Sequence, residues 1–375
     1  MERSYTVNIT IDVALNPLHR LILLILLLIS PFTMADEVKD LHVVEIPVAD
    51  QSRKSRVEAY RSALAEVLLR VSGRGDVMFN PNILAAMSKA HTFVKSYRYR
   101  KLDIQQALEK GLEGEQLVLW VEMYPRSIQR LLRDNGLPIW GQVRPGMLSW
   151  IVLEQGGSRE LLGAASSHPG MEIIRQQAAL RGQPLQFPLL DLVDKAAVNV
   201  SDVWGGFSDE VRQASLRYGD DVVFYGRIYS SGSGKWHADW SLLLKDREWK
   251  WQVEGSDIAS VIRPGVDLAV DSISSRFAQT TVNTAANHTL VKVWNIQSLQ
   301  GYAAVMRYLK KQVSVTEVIA DTIKSDSVVF KVRSEGDWQS VNKAISLGYL
   351  LHPFKPDETT GDSELSSTIH YRYLP

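Results

Sequence analysis

The sequence predicts an α+β protein: a signal peptide followed by three small α/β modules with mixed sheets, the last of them ferredoxin-like. Three observations carry this. Stretches of strand-like alternation and of helical spacing succeed one another along residues 41–354. Two stretches interrupt them: "LPIWGQVRPG" at 137–146, with two prolines and two glycines, and the small, polar "TTVNTAANH" at 280–288. Between the second interruption and residue 354 the order is β-α-β-β-α-β.

A chain of 375 residues that is 45% hydrophobic and 22% charged has material for two or three cores. Lys+Arg and Asp+Glu both number 42, so no bulk charge draws it to nucleic acid or to anionic membranes. Cysteine is absent, which excludes disulfides, thiolate metal sites, a Cys nucleophile and a lipid-modified N-terminal Cys.

Residues 1–35 read as a secretory signal. Arg20 precedes the apolar run Leu21 to Ile29, Pro31 follows it, and Thr33-Met34-Ala35 ends in small residues. The run is short for a membrane span, which takes about 20 residues, so an uncleaved inner-membrane anchor is the alternative. Any membrane contact is expected through this segment only. Removing it leaves 40 basic and 40 acidic residues, so the exported part is neutral as well. Export without cysteine points to a bacterial periplasm.

In the first module, 41–136, "LHVVEIPV" is a strand, and residues 52–71 form a helix with Tyr60, Leu64, Val67, Leu68 and Val71 on one face. "SGRGD" stops it. A second helix starts after Pro81, "HTFVKSYRYRKL" and "QLVLWVEMYP" are strands, and "SIQRLLRDNG" is a helix closed by Gly136. Residues 137–146 are the linker. In the middle module, 147–280, "MLSWIVLE" is a buried strand, "MEIIRQQAALRG" a helix, "PLQFPLL" a strand and "DEVRQASLRYG" a helix. A meander follows through "DDVVFYGRIYS", "KWHADWSLLLK" and "EWKWQVEG". A long helix then carries Val266, Ala269, Val270, Ile273 and Phe277 on one side. The third module, 288–354, has strands "LVKVWNI", "VSVTEVIAD", "DSVVFKVRS" and "YLLHPF", with helices "LQGYAAVMRYLKK" and "WQSVNKAISLG". Residues 355–375 are a polar tail whose "TIHYRYL" offers a further strand.

The stretch "SGSGKW" resembles a phosphate loop but misses it. Tyr229 stands where the first glycine belongs and Trp236 where a hydroxyl must meet magnesium. Trp236, Ala238, Trp240, Leu242 and Leu244 alternate with Lys235, His237, Asp239 and Ser241, so the glycines are the tip of a hairpin. "KSYRYRK" is read as an edge strand blunted by charge, and "RGD" at 74–76 as a turn. No paired-histidine metal motif and no nucleophile elbow is present in the sequence. Asp191, Asp194, Asp220 and Asp221 are the best acidic cluster, able to serve acid–base or metal chemistry or to cap helices.

Two groups are candidate binding residues. Trp140, Arg144 and Pro145 put a large aromatic and a forked cation at a module junction, where they either meet a partner, or Trp140 packs the modules together and Arg144 caps or bridges carbonyls. Trp236 and Trp240, with Trp249 and Trp251, are either a stacking surface for a ligand or core.

The words "GLPIWGQVRPGMLSWIVLE", "FPLLDLVD", "ASLRYGDDVVFYGRI" and "WHADWSLLL" together resemble a Gram-negative envelope family, domain of unknown function two-zero-six-six. That resemblance implies an exported, envelope-associated protein and carries over no catalytic residue. The middle module is also similar to the N-terminal α/β domains of the Tol-B and curli-secretion type, and the first to the small N-terminal domain of a flagellar assembly protein. Fold likeness of this kind does not assign a function.

The expectation is therefore an exported, non-enzymatic periplasmic interaction or envelope-assembly accessory protein with no cofactor and no metal. Its partner is an envelope or inner-membrane protein rather than nucleic acid. Two alternatives stay open: a metal-dependent hydrolase using Asp191, Asp194, Asp220 and Asp221, and a cell-wall glycan binder using the tryptophans.

Overall fold

The computed structural model describes residues 38 and 40–374, apart from 109–111, 113, 220–221, 232–233, 246, 279–286, 313–314, 335–341, 343–344, 347–349 and 355–367. The expected signal, most of the second interruption, most of the last helix and the polar part of the tail lie outside the described residues. The chain has an α+β fold with three sheets, each with apolar side chains packed against it. Among the described residues no helix is long and apolar enough to cross a membrane.

The first sheet has the order β1-β3-β2, all antiparallel, from β1 (Val43–Pro47), β2 (Val94–Leu102) and β3 (Gln116–Met123). Helix α1 (Arg53–Ser72) lies on it, capped by the Ser52 side chain and stopped by Gly73 in the left-handed region. Its buried stripe, Ala63, Leu64, Val67, Leu68 and Val71, is the face the helical spacing marks. Helices α2 (Pro81–Met87), α3 (Ile104–Leu108) and α4 (Pro125–Asp134) complete this part. The five residues of α3 carry no periodicity that a sequence reading could catch. As expected, β2 is an edge strand, with Arg98 stacked over Trp120 at 4.4 Å.

The second sheet has the order β5-β4-β7-β8-β9, with β6 pairing β4. The strands are β4 (Met147–Gln155), β5 (Ser158–Leu162), β6 (Leu185–Gln186), β7 (Val222–Ser230), β8 (Trp236–Leu244) and β9 (Arg247–Gly255). β4 is parallel to β6 and β7, and β7-β8-β9 is the expected antiparallel meander. Helices α5 (Pro169–Arg181) and α9 (Ile258–Phe277) cover one face; α6 (Leu192–Ala197), α7 (Val200–Gly205) and α8 (Ser208–Ser215) lie on the other. Burial on both sides explains why Met147 to Leu153 are all buried and read as a continuous apolar run. β5, α6 and α7 are absent from the sequence reading, and the strand read in "PLQFPLL" shrinks to two residues. The prolines at 184 and 188 explain the shrinkage, because neither can donate to a ladder.

The third sheet has the order β11-β12-β10-β14-β13, from β10 (Asn287–Trp294), β11 (Val315–Ile323), β12 (Ser327–Ser334), β13 (Leu351–Pro353) and β14 (Thr368–Tyr373), with α10 (Leu299–Lys311) on its buried face. The order β11-β12-β10 is that of the ferredoxin-like half. Next to β10, however, lies β14, running parallel to it, and β13 pairs only with β14. The C-terminal strand thus takes the place in which the ferredoxin pattern puts the fourth strand. Its buried Tyr371 explains the preference: β14 brings a large ring to the core, whereas β13 brings Leu351 from three residues.

In the second sheet, Trp240 lies against Phe224, ring centroids 4.8 Å apart, and donates its indole N–H to Val261 O of α9 at 3.2 Å. Pro264 and Gly265 sit inside α9 at this point. A methyl group on Gly265 would fall 2.6 Å from Trp240 Cε2. Gly265→Ala is therefore expected to destabilise the protein by about 1–3 kcal/mol through overpacking. Urea unfolding of the variant measures this, and an unchanged midpoint would refute it.

Candidate functional site

The candidate binding residues Trp140, Arg144 and Pro145 are all buried. Of the two readings, partner contact does not fit this burial and packing does: their side chains are spent inside the protein. The segment 137–146 is a wedge rather than a solvated linker. Ile139 belongs to the core under the first sheet and Trp140 to the core of the second. Trp140 N–H donates to Val71 O at 2.7 Å and Val38 N–H to Gln142 O at 3.0 Å.

Arg144 is fully buried and has no carboxylate partner among the described residues. It donates to five carbonyls: Gly141 at 3.0 Å, Arg181 at 2.9 Å, Gly182 at 2.8 Å, Arg70 at 2.6 Å and Trp140 at 3.2 Å. Its guanidinium stacks 4.1 Å over the Trp140 ring. Arg70 lies in the last turn of α1, and Arg181 and Gly182 end α5. The cation therefore caps the C-termini of two helices at once, where unpaired carbonyls and the negative ends of both dipoles favour it. Gly182, in the left-handed region, lets the side chains close in: a methyl there would fall 2.7 Å from Arg70 Cγ. Burial, and then the charges of Arg70 and Arg181, push the Arg144 pKa down to about 9, still charged at neutral pH.

Arg181, also buried, donates to Asp267 at 2.7 Å, to Asp271 and to Gly73 O at 2.8 Å. Arg70 pairs with Glu66 at 2.6 Å. Beside them, burial first and the Arg70 charge second lower the His42 pKa to about 4.

The acidic cluster comes together only in part. Asp191 caps α6, accepting from the N–H groups of Val193 and Asp194, and pairs with Arg217 at 2.7 Å. Asp194 is fully buried and accepts from Arg217 at 2.9 Å, Leu190 N at 2.8 Å and the Tyr218 hydroxyl. The Arg217 bond, then the cap, hold the Asp191 carboxyl well below its usual range. Burial, then Asp194, raise the Tyr218 hydroxyl to about 12. Both carboxylates are thus engaged in folding the 189–218 segment. Asp220 and Asp221 lie outside the described residues. Among the described residues no three His, Asp or Glu side chains converge as a metal site.

Of the candidate stacking residues, Trp240 is 1% exposed and core, so it offers no ligand face. Trp236, Trp249 and Trp251 are half-buried and pack on the same apolar cluster beneath α9. This corrects their assignment as a ligand surface: period-two spacing put all four on the helix-covered side.

The opposite side of the same strands holds a cleft of about 420 Å³. α7 and α8 pack on that face over β4, the start of β7 and Leu243 of β8, leaving Arg227 of β7, Asp239 of β8 and Lys250 and Gln252 of β9 to line the cleft. Val203, Trp204, Gly205 and Gly206 form one wall; Arg227, Asp239, Ser241, Lys250 and Gln252 form the other. Arg227 Nε donates to Asp239 at 2.6 Å and Nη1 to Trp204 O at 2.9 Å. Trp204 is held by Arg159, 3.7 Å over its ring, and by Tyr229, 5.8 Å between centroids. Tyr225 donates to Glu248 at 2.8 Å, and burial above all raises its hydroxyl to about 12. Beyond the cleft, β9 forms the edge of the sheet, bonded among the described residues to β8 alone. The sequence did contain the cleft's signal: Asp239 and Ser241 are the wet half of the alternation. Nothing local marked Trp204, which arrives on a helix six residues long.

Arg144→Lys is expected to lower stability by at least about 2 kcal/mol, since one ammonium cannot reach five acceptors and orphans buried carbonyls. Calorimetry reads this, and a variant as stable as the parent would overturn the assignment. His42 binds a proton more readily unfolded than folded between pH 6.5 and about 4. Stability therefore falls as pH drops through that window, by about 1–3 kcal/mol. Urea midpoints at pH 7, 5.5 and 4.5 should fall less steeply for His42→Phe than for the parent; parallel curves would exclude His42 as the cause.

Compared with known proteins, residues 35–141 match a family described as a domain of unknown function, DUF8605. The match covers the first sheet with its helices and ends beside Trp140. It is a different family from the one the sequence words resemble. No curated protein matches the chain.

Proposed function

We propose that this chain is an exported, non-enzymatic interaction or envelope-assembly accessory protein of the periplasm, and that it takes a protein partner by strand addition at β9. The observation that carries this is β9 itself: nine residues, bonded on one side only, at the end of a sheet whose interior is rigidly packed. Its Glu248, Lys250, Gln252 and Glu254 alternate outward while Trp249, Trp251 and Val253 rest on the core. Such an edge gives main-chain hydrogen bonds to an added strand and side-chain pockets on both faces.

Three further points support the reading. The residue order at 20–35 is that of an export signal. Of the displaced titratable groups, Arg144, Asp191 and Tyr218 are bound up in folding contacts, and Tyr225, which lines the cleft, has its hydroxyl bonded to Glu248. The hydrolase alternative rests on carboxylates of which Asp191 and Asp194 are held by Arg217.

The test is photo-crosslinking in intact cells of the source organism. A photoreactive residue at Lys250 or Glu254 is expected to capture one protein in the periplasmic fraction. The same residue at Leu84, 54% exposed on α2, is expected to capture nothing comparable. Equal labelling from both sites, or recovery of the chain in the cytoplasm, would sink the proposal.

A further inference from the structure

We infer that the cleft between α7 and the outer strands is a binding site for a neutral carbohydrate, read by the Arg227–Asp239 pair. This goes beyond the strand-addition reading and does not depend on it.

The shape comes first. At about 420 Å³ the cleft falls in the range of small-molecule sites. One wall ends at Gly206, where a side chain's first carbon would meet nothing within 4 Å. Its other wall is built on three consecutive strands, so the side chains keep fixed spacings.

The chemistry follows from the ion pair. Arg227 uses Nε on Asp239 Oδ2 and Nη1 on Trp204 O. Its Nη2 and the Asp239 Oδ1 make no hydrogen bond among the described residues. A donor and an acceptor thus stand side by side. Two adjacent hydroxyls of a sugar ring match that pair: one accepts from the guanidinium and the other donates to the carboxylate. Gln252 adds an amide that both donates and accepts, as a polyhydroxylated ligand requires.

Charge selects a neutral ligand. Arg227 is balanced by Asp239, and Lys250 lies 3.1 Å from Glu248. Neither an anion nor a cation gains from entering. Trp204, fixed by Arg159 and Tyr229, gives the apolar wall against which the C–H face of a sugar ring can rest.

The experiment titrates the purified full chain with N-acetylglucosamine, its β-1,4-linked disaccharide and maltose. Calorimetry and tryptophan fluorescence are read, with glucose 6-phosphate as the charged comparison. At least one neutral sugar is expected to saturate a single site. Asp239→Asn and Arg227→Gln should each weaken it by at least about tenfold. Gln252→Ala, which removes no hydrogen bond within the described protein, should weaken it with the melting temperature unchanged. Three results would overturn the inference: no neutral sugar saturating below about 10 mM, binding undiminished in all three variants, or glucose 6-phosphate binding more tightly than the neutral sugars. Loss of sugar binding leaves crosslinking from β9 intact if the two readings are separate, so failure of one is distinguishable from failure of the other.

Discussion

The structure depends on one buried cation. A guanidinium with no counter-ion is costly to take out of water. Arg144 offsets that cost with five carbonyls drawn from three places: the end of α1, the end of α5 and its own segment. None of these satisfies it alone. The cation is content only when both helix ends meet over Trp140, so the contact joins the first sheet's helix to the second sheet. The neighbouring residues Ile139 and Trp140, which enter different cores, repeat the same constraint with apolar side chains. Arg181 completes it by tying the end of α5 to Asp267 and Asp271 of α9 and to Gly73 O after α1.

The second sheet is covered unevenly, and this decides where the protein has a usable surface. Over Met147 to Leu153 of β4 and Val222 to Tyr225 of β7 the residues are all buried. Toward β9 one face stays packed on α9 while the other opens, because α7 and α8 are short and their packing reaches no farther than Leu243 of β8. The cleft and the free edge are two consequences of that single asymmetry. Trp240 keeps the region stiff, filling the space opposite Gly265 and bonding to Val261 O. A stiff floor beneath an open face is a favourable basis for recognition, since little order is lost on binding.

Charge is used differently on the two sides of this part of the chain. In the wedge and in the 189–218 segment, arginines and aspartates are consumed in holding backbone together. Arg217 unites Asp191 and Asp194, and Arg144 ends two helices. In the cleft, by contrast, Arg227 and Asp239 face each other with Nη2 and Oδ1 making no hydrogen bond among the described residues. Residue type alone does not separate these cases; the number of partners does.

Much was legible from the amino acids alone. Period-two alternation marked β7 and β8 and assigned Trp236 and Trp240 to one face, and helical spacing marked α1 and α9 with their buried residues. Those signals are local: the face a side chain takes follows from the backbone period. The sequence also excluded the phosphate loop, because contact-making positions held the wrong residues. What it did not determine were matters of long-range pairing. Whether Trp240 faced core or ligand, whether Arg144 was spent or free, and whether β14 would slip in beside β10 depend on atoms contributed by segments tens of residues away. The tertiary structure decided each of them through satisfaction of buried groups: carbonyls for Arg144, a helix carbonyl for Trp240 Nε1, and an apolar slot for Tyr371.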